Sequence, residues 1–224
     1  EKQGAEDLDT LRAHHESARA SMVMAKENEA LDILWSTSGL VEKNFPGENL
    51  FLGEIFADIA ETYRALADYT QAQSTLDLAM DFYEAAHTSN NSNFEVLLGK
   101  AKAMVTLSRI MREKGMFNQA TEMAKVALAK HEEILNNPKD YRLAFPLTFY
   151  AECHFRNFEF EEGLSLLQRA IDNVLRRVKV QHYWNIELQA CRARALGHAE
   201  VGRNWESSIG LNSCKSWQKN SKCT

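Results

Sequence analysis

The sequence predicts an all-α protein, a helical-hairpin solenoid of about four to five helix pairs. Three observations predict it. The 224 residues include only 3 Pro and 10 Gly, too few for the turns of an all-β chain. Apolar residues recur at steps of three and four, the helical period, in one segment after another. Small residues at positions 30, 72, 120, 163 and 208 are 42, 48, 43 and 45 apart, and self-similarity at such an interval marks stacked helical repeats.

The first pair is the weakest. Leu11, Ala18 and Met22 line one helix, and Ala30, Leu31 and Leu34 the next. The second is the clearest. Phe51, Leu52, Ile55, Phe56, Ile59, Tyr63 and Leu66 form one stripe, and Ala72, Leu76, Ala79, Met80 and Tyr83 another. The short link Ala67-Asp68-Tyr69-Thr70 makes these helices antiparallel neighbours, with Thr70 read as the N-cap of the second. In the third pair Ala101, Met104, Val105, Leu107, Ser108 and Met111 face Ala120, Met123, Ala124, Ala127 and Leu128. Gly115 supplies its left-handed turn residue. The fourth pairs Leu147, Tyr150, Ala151 and His154 with Gly163, Leu166, Leu167, Ala170 and Ile171. A fifth opens with Leu188, Cys191, Ala195, Leu196 and Ala199 and turns at Gly202-Arg203-Asn204-Trp205. An aromatic stands three residues before the small one in the last four turns: Tyr69, Phe117, Phe160 and Trp205.

The repeat domain is expected to span residues 1–206. Residues 207–224, with Gly210, a Ser/Asn cluster and three lysines, favour helix poorly. A short helix or a disordered tail is expected there. A last repeat without a polar cap leaves the face of Leu188, Cys191 and Leu196 uncovered. Self-association through the C-terminal end, or a longer parent chain, is then expected. The sequence opens at Glu1 without Met, which suggests processing or a fragment.

Composition bounds the function. Hydrophobic residues are 45%, charged residues 25% and mean hydropathy −0.41, an ordinary globular balance. No apolar run is long enough to span a bilayer, and no segment reads as a signal peptide, so no membrane is expected. Net charge is −5, unevenly spread. Residues 1–162 hold 16 Lys/Arg and 27 Asp/Glu, and residues 163–224 hold 10 and 4. This pattern alone is no nucleic-acid signature. The four cysteines, at 153, 191, 214 and 223, form no C-x-x-C. They suggest a reducing, cytoplasmic setting.

Catalytic and metal constellations are missing from the sequence. It has no G-x-G-x-x-G, P-loop, G-x-S-x-G or H-E-x-x-H. His131-Glu132-Glu133 begins like a zinc motif, but Leu135 stands where the second His belongs. His14 and His15 cannot share a helix face. Cys191 and His198 can share one, but no further ligand accompanies them. Cys214 and Cys223 have no partners for a zinc set, and Glu161-Glu162 suits a helix start. No catalytic residue, metal or cofactor is expected.

Phe56-x-x-Ile59-Ala60-x-x-Tyr63 followed by Ala72-x-x-x-Leu76-x-x-Ala79 resembles the tetratricopeptide repeat (TPR), with its W-x₂-L-G-x₂-Y and A-x₃-F pattern. Met104-x-x-Leu107-Ser108-x-x-Met111 and Leu147-x-x-Tyr150-Ala151-x-x-His154 repeat it more loosely. The resemblance covers about residues 8–211. Its long interval resembles the repeats of kinesin light chain, although Thr88–Asn93 and Asn136–Asp140 lack that subgroup's Gly-Pro-Asp-His-Pro loop. The resemblance implies a concave groove lined by the first helix of each pair. It places there Arg12, His15, Arg19, Glu54, Glu61 and Arg64, then Lys102, Val105, Arg109 and Arg112, then Thr148, Glu152 and Phe155. Lys102, Arg109 and Arg112 read as a basic patch for an acidic peptide, because Arg favours carboxylates. These three, with Glu61, Arg64, Glu152 and Phe155, are the candidate partner-binding residues. The Lys and Asn clamp of chaperone-binding relatives is not matched. The function implied is a non-catalytic scaffold or adaptor holding a peptide or helix of a protein partner. The alternatives are a regulatory sensor domain of a larger signalling protein, or a nucleic-acid-binding repeat.

Overall fold

One turn occurs four times among the described residues and sets their architecture. A computed structural model describes residues 7–89 and 94–177. In it the helices α1 (Leu8–Val23), α2 (Glu27–Asn44), α3 (Asn49–Ala65), α4 (Tyr69–Ser89), α5 (Phe94–Glu113), α6 (Phe117–Leu135), α7 (Ala144–Arg156) and α8 (Phe160–Leu175) follow one another. A single 3₁₀ turn, Tyr141–Leu143, precedes α7. Among the described residues there is no strand.

Each hairpin turns on one left-handed residue: Ala25 (φ 54°), Ala67 (φ 60°), Gly115 (φ 80°) and Phe158 (φ 62°). The N–H of the next residue reaches back five positions. Lys26 donates to Ser21 O at 3.0 Å, Asp68 to Tyr63 O at 3.0 Å, Met116 to Met111 O at 2.9 Å and Glu159 to His154 O at 2.9 Å. This satisfies carbonyls that the ending helix leaves open. The second helix begins one residue later, at Glu27, Tyr69, Phe117 or Phe160. Its fourth residue is the small one of the repeat. Ala30, Ala72 and Ala120 are fully buried, and Gly163 is buried too. At Gly163 an added Cβ would collide with the Phe155 ring and lie 3.0 Å from Ala151 O. The small residues are therefore where the two helices of a hairpin approach most closely.

Thr70 is not the cap of α4. The helix starts one residue before it, and the Gln71 N–H donates to Asp68 Oδ1 at 3.1 Å. Asp68 outcompetes Thr70 because it stands at the non-helical position where a side-chain acceptor reaches an open N–H.

The described residues fall into two compact units that divide between Pro138 and Lys139. In the first, α1 pairs with α2, α3 with α4 and α5 with α6. The pairs stack through α2 on α3 and α4 on α5. Leu11, Leu34, Ile55, Ile59, Leu76 and Ile110 are fully buried in one continuous core. Ser108 locks the third hairpin by donating to Ala120 O at 2.6 Å.

In the second unit, α7 pairs with α8. Asp140 organises the start. Its carboxylate accepts from the Arg142 N–H at 2.9 Å and holds the guanidinium at 2.9 and 3.0 Å. The buried Asn173 donates to the Asp140 carbonyl at 3.1 Å, tying α8 to the 3₁₀ turn. The expected fifth pair, the 206/207 boundary, the tail and its self-association lie outside the described residues.

Candidate partner-binding face

Helices α1, α3 and α5 open successive hairpins, and each touches the next. Their polar side chains meet across the repeat boundaries. His15 Nε2 donates to Asp58 Oδ2 at 2.8 Å, and Arg19 lies 3.5 Å from the same carboxylate. Arg109 donates to Glu61 Oε1 at 2.6 Å, and Arg64 donates to Glu113 at 2.6 Å and Glu61 at 2.8 Å. Arg112 lies 3.7 Å from Glu113. Arg64, Arg109, Glu61 and Glu113 are half-buried, so water screens them only in part.

The expected patch of Lys102, Arg109 and Arg112 is thus interleaved with acids. The reason is register. Glu61 and Arg109 are 48 residues apart, the same interval as Ala72 and Ala120, so they occupy one repeat position on neighbouring helices. The sign alternates there: Arg19, Glu61, Arg109. It alternates again seven residues earlier, at Arg12, Glu54 and Lys102. Val105 leaves the expected face altogether, buried at 1% exposure in the core.

The second row differs from the first in being open. Lys102 is exposed and Glu54 half-buried. Arg12 makes one exposed contact, 3.8 Å to Glu48, and its guanidinium lies over the Phe51 ring at 4.6 Å. Burial pushes the Glu54 carboxyl above the usual carboxylate range, against the pull of His15, Arg12 and Lys102 and with a push from Asp58. Burial likewise raises the Tyr83 phenol, helped by Glu54 and Asp58. Tyr83 belongs to α4, and its ring packs between Gly53 and Gly99, where an added Cβ would meet it at 2.7 and 2.6 Å. On α6, His131 is fully buried and donates from Nδ1 to Ala127 O at 2.8 Å. Burial lowers its pKa, opposed by that bond and aided by Lys102.

Glu152 and Phe155 stand on α7 of the second unit, both half-buried. Phe155 stacks on Phe160 with centroids 6.3 Å apart and covers Gly163. It therefore helps close its own hairpin, which its place on a first helix did not reveal. Thr148 bonds back to Ala144 O at 2.7 Å.

Among the described residues no three His, Cys, Asp or Glu side chains gather as a metal set. Cys153 is buried in the second unit. No described helix is long and apolar enough to cross a membrane.

No protein-family model matches the sequence, and no curated protein matches it. Solved structures do match. A variant of a kinesin-light-chain-type protein with nearly identical TPR-like repeats, from Podosopora anserina, is 16% identical, with a TM-score of 0.53 over 99% of this chain and 100% of that one. BtubC from P. vanneervenii is 13% identical, with a TM-score of 0.61 over 88% of this chain and 82% of that one. A signal transduction ATPase with numerous domains and a tetratricopeptide repeat sensor, from Pyrococcus horikoshii, is 14% identical, with a TM-score of 0.63 over 86% of this chain and 27% of that one. At these identities the likeness concerns the fold, and the chain folds as a TPR-like helical-hairpin solenoid.

Proposed function

We propose that the chain is a non-catalytic scaffold or adaptor that holds a peptide or helix of a protein partner against the first helices of its repeats. One observation carries the reading. The faces of α1, α3 and α5 carry charged side chains in repeat register, while the opposite sides of these helices supply the core. A surface that orders charge across three stacked units suits an elongated ligand. The charge on this face leans positive, which favours a partner with net acidic character. The cysteines favour a reducing, cytoplasmic setting.

A displayed peptide library selected on the full chain tests this. Selected peptides should lose binding to a Lys102→Glu, Arg112→Glu variant. They should keep it with Lys125→Glu, an exposed position on α6. Equal binding to both variants would count against the reading.

A regulatory sensor module is the second reading, favoured by the fold likeness to a much longer signalling ATPase with a TPR sensor. A full-length transcript encoding an attached signalling domain would support it.

A further inference from the structure

Two rows of charge cross the first three repeats, and only one of them is closed by its own ion pairs. Glu61 is held by Arg64 and Arg109, and Asp58 by His15 and Arg19. In the other row Glu54 and Lys102 form no ion pair or hydrogen bond with the described residues, and Arg12 has a long exposed contact to Glu48 and lies over the Phe51 ring. Glu54 stands on α3, which touches both α1 and α5, one repeat from Arg12 and one from Lys102. A half-buried carboxylate, with an exposed lysine on one neighbouring helix and a loosely held, half-exposed arginine on the other, leaves charge that a ligand can neutralise.

The spacing suggests the ligand's form. Packed helices lie about 8–10 Å apart, and an extended chain advances about 3.3 Å per residue. Side chains three residues apart on an extended segment therefore match successive helices. We infer that the Arg12, Glu54, Lys102 row receives an extended segment of a protein partner carrying acidic, basic and acidic side chains at three-residue spacing. The inference rests on the partner-face reading above and names the partner's chemistry. The central basic group pairs with Glu54 and the flanking carboxylates with Arg12 and Lys102. A wholly acidic segment would set a carboxylate against Glu54, which opposes binding.

Three labelled peptides on one Ala/Ser background test this by fluorescence polarisation with the full chain: Glu-x-x-Lys-x-x-Glu, Glu-x-x-Glu-x-x-Glu and Lys-x-x-Glu-x-x-Lys. The first should bind at least about tenfold tighter than the other two. In Glu54→Lys, checked for helicity by circular dichroism, the preference should pass to the all-acidic peptide. If that variant fails to fold, Lys102→Glu should instead shift preference to a peptide with a basic residue at one end. An all-acidic peptide binding wild type as tightly as the mixed one overturns the inference. So does an unchanged preference in a folded variant. If none of the three binds while library peptides still depend on Lys102 and Arg112, this inference falls and the partner face stands. If the library peptides ignore that face as well, both fall.

Discussion

The Tyr83 ring lies so close to Gly99 that a Cβ at residue 99 would come within 2.6 Å of its Cε1 atom. A Cβ at Gly53, on α3, would meet the same ring at 2.7 Å. Two glycines on neighbouring first helices thus make room for a ring from α4. Gly99→Ala and Gly53→Ala should each cost about 1–3 kcal/mol by overpacking. Gly39, exposed inside α2 with nothing near its missing Cβ, should gain about 0.5–1 kcal/mol on the same change. Urea unfolding of the three variants checks the contrast.

The turns offer a second test. Ala25 and Ala67 hold the backbone shape that Gly115 adopts without strain. Ala67→Gly and Ala25→Gly should stabilise by about 0.5 kcal/mol, the relief of a left-handed Cβ exceeding the added chain entropy. Gly115→Ala should destabilise by about 1 kcal/mol. Thermal melting of the single variants reads the opposite signs.

Between repeats, the Glu61 carboxylate joins Arg64 and Arg109. Glu61→Ala takes a shared carboxylate from two half-buried cations, of which Arg64 keeps Glu113, and should cost about 1–2 kcal/mol. A double-mutant cycle with Arg109→Ala should return a favourable coupling. Additive effects would show that the pair is only incidental.

Acid should loosen the third hairpin. Burial holds His131 below its ordinary value, so the unfolded chain takes up this proton first. Its contribution is complete above the unfolded value, about pH 6.5, and is lost as pH falls towards the folded value. His131→Gln should flatten the slope of unfolding free energy between roughly pH 6.5 and pH 5. A slope unchanged by the substitution would place the titration elsewhere.

The repeat pattern was legible because helix pairing is local. The small residues at 30, 72, 120 and 163 and the turn aromatics mark the same positions in the structure. Left-handed Ala25, Ala67 and Phe158 escaped notice, since only Gly advertises that backbone. Asp68 displaced Thr70 as cap over a single residue of helix start. Of the partner-face candidates, Lys102, Arg109 and Arg112 stand on one helix as read, but their acidic neighbours come largely from another repeat. Pairing Glu61 with Arg109 requires the 48-residue interval to be applied to the polar face as well as the apolar one. Tyr83 is core, as its stripe predicts; that its ring packs against both α3 and α5 depends on Gly53 and Gly99, which carry no periodic signal.

The central question is where a partner docks. Backbone amide shifts of the full chain, recorded by NMR with and without a library-selected peptide, test this directly. Changes confined to α1, α3 and α5, centred on Glu54 and Lys102, are the predicted result. Changes confined to the exposed sides of α2, α4 and α6 would contradict it.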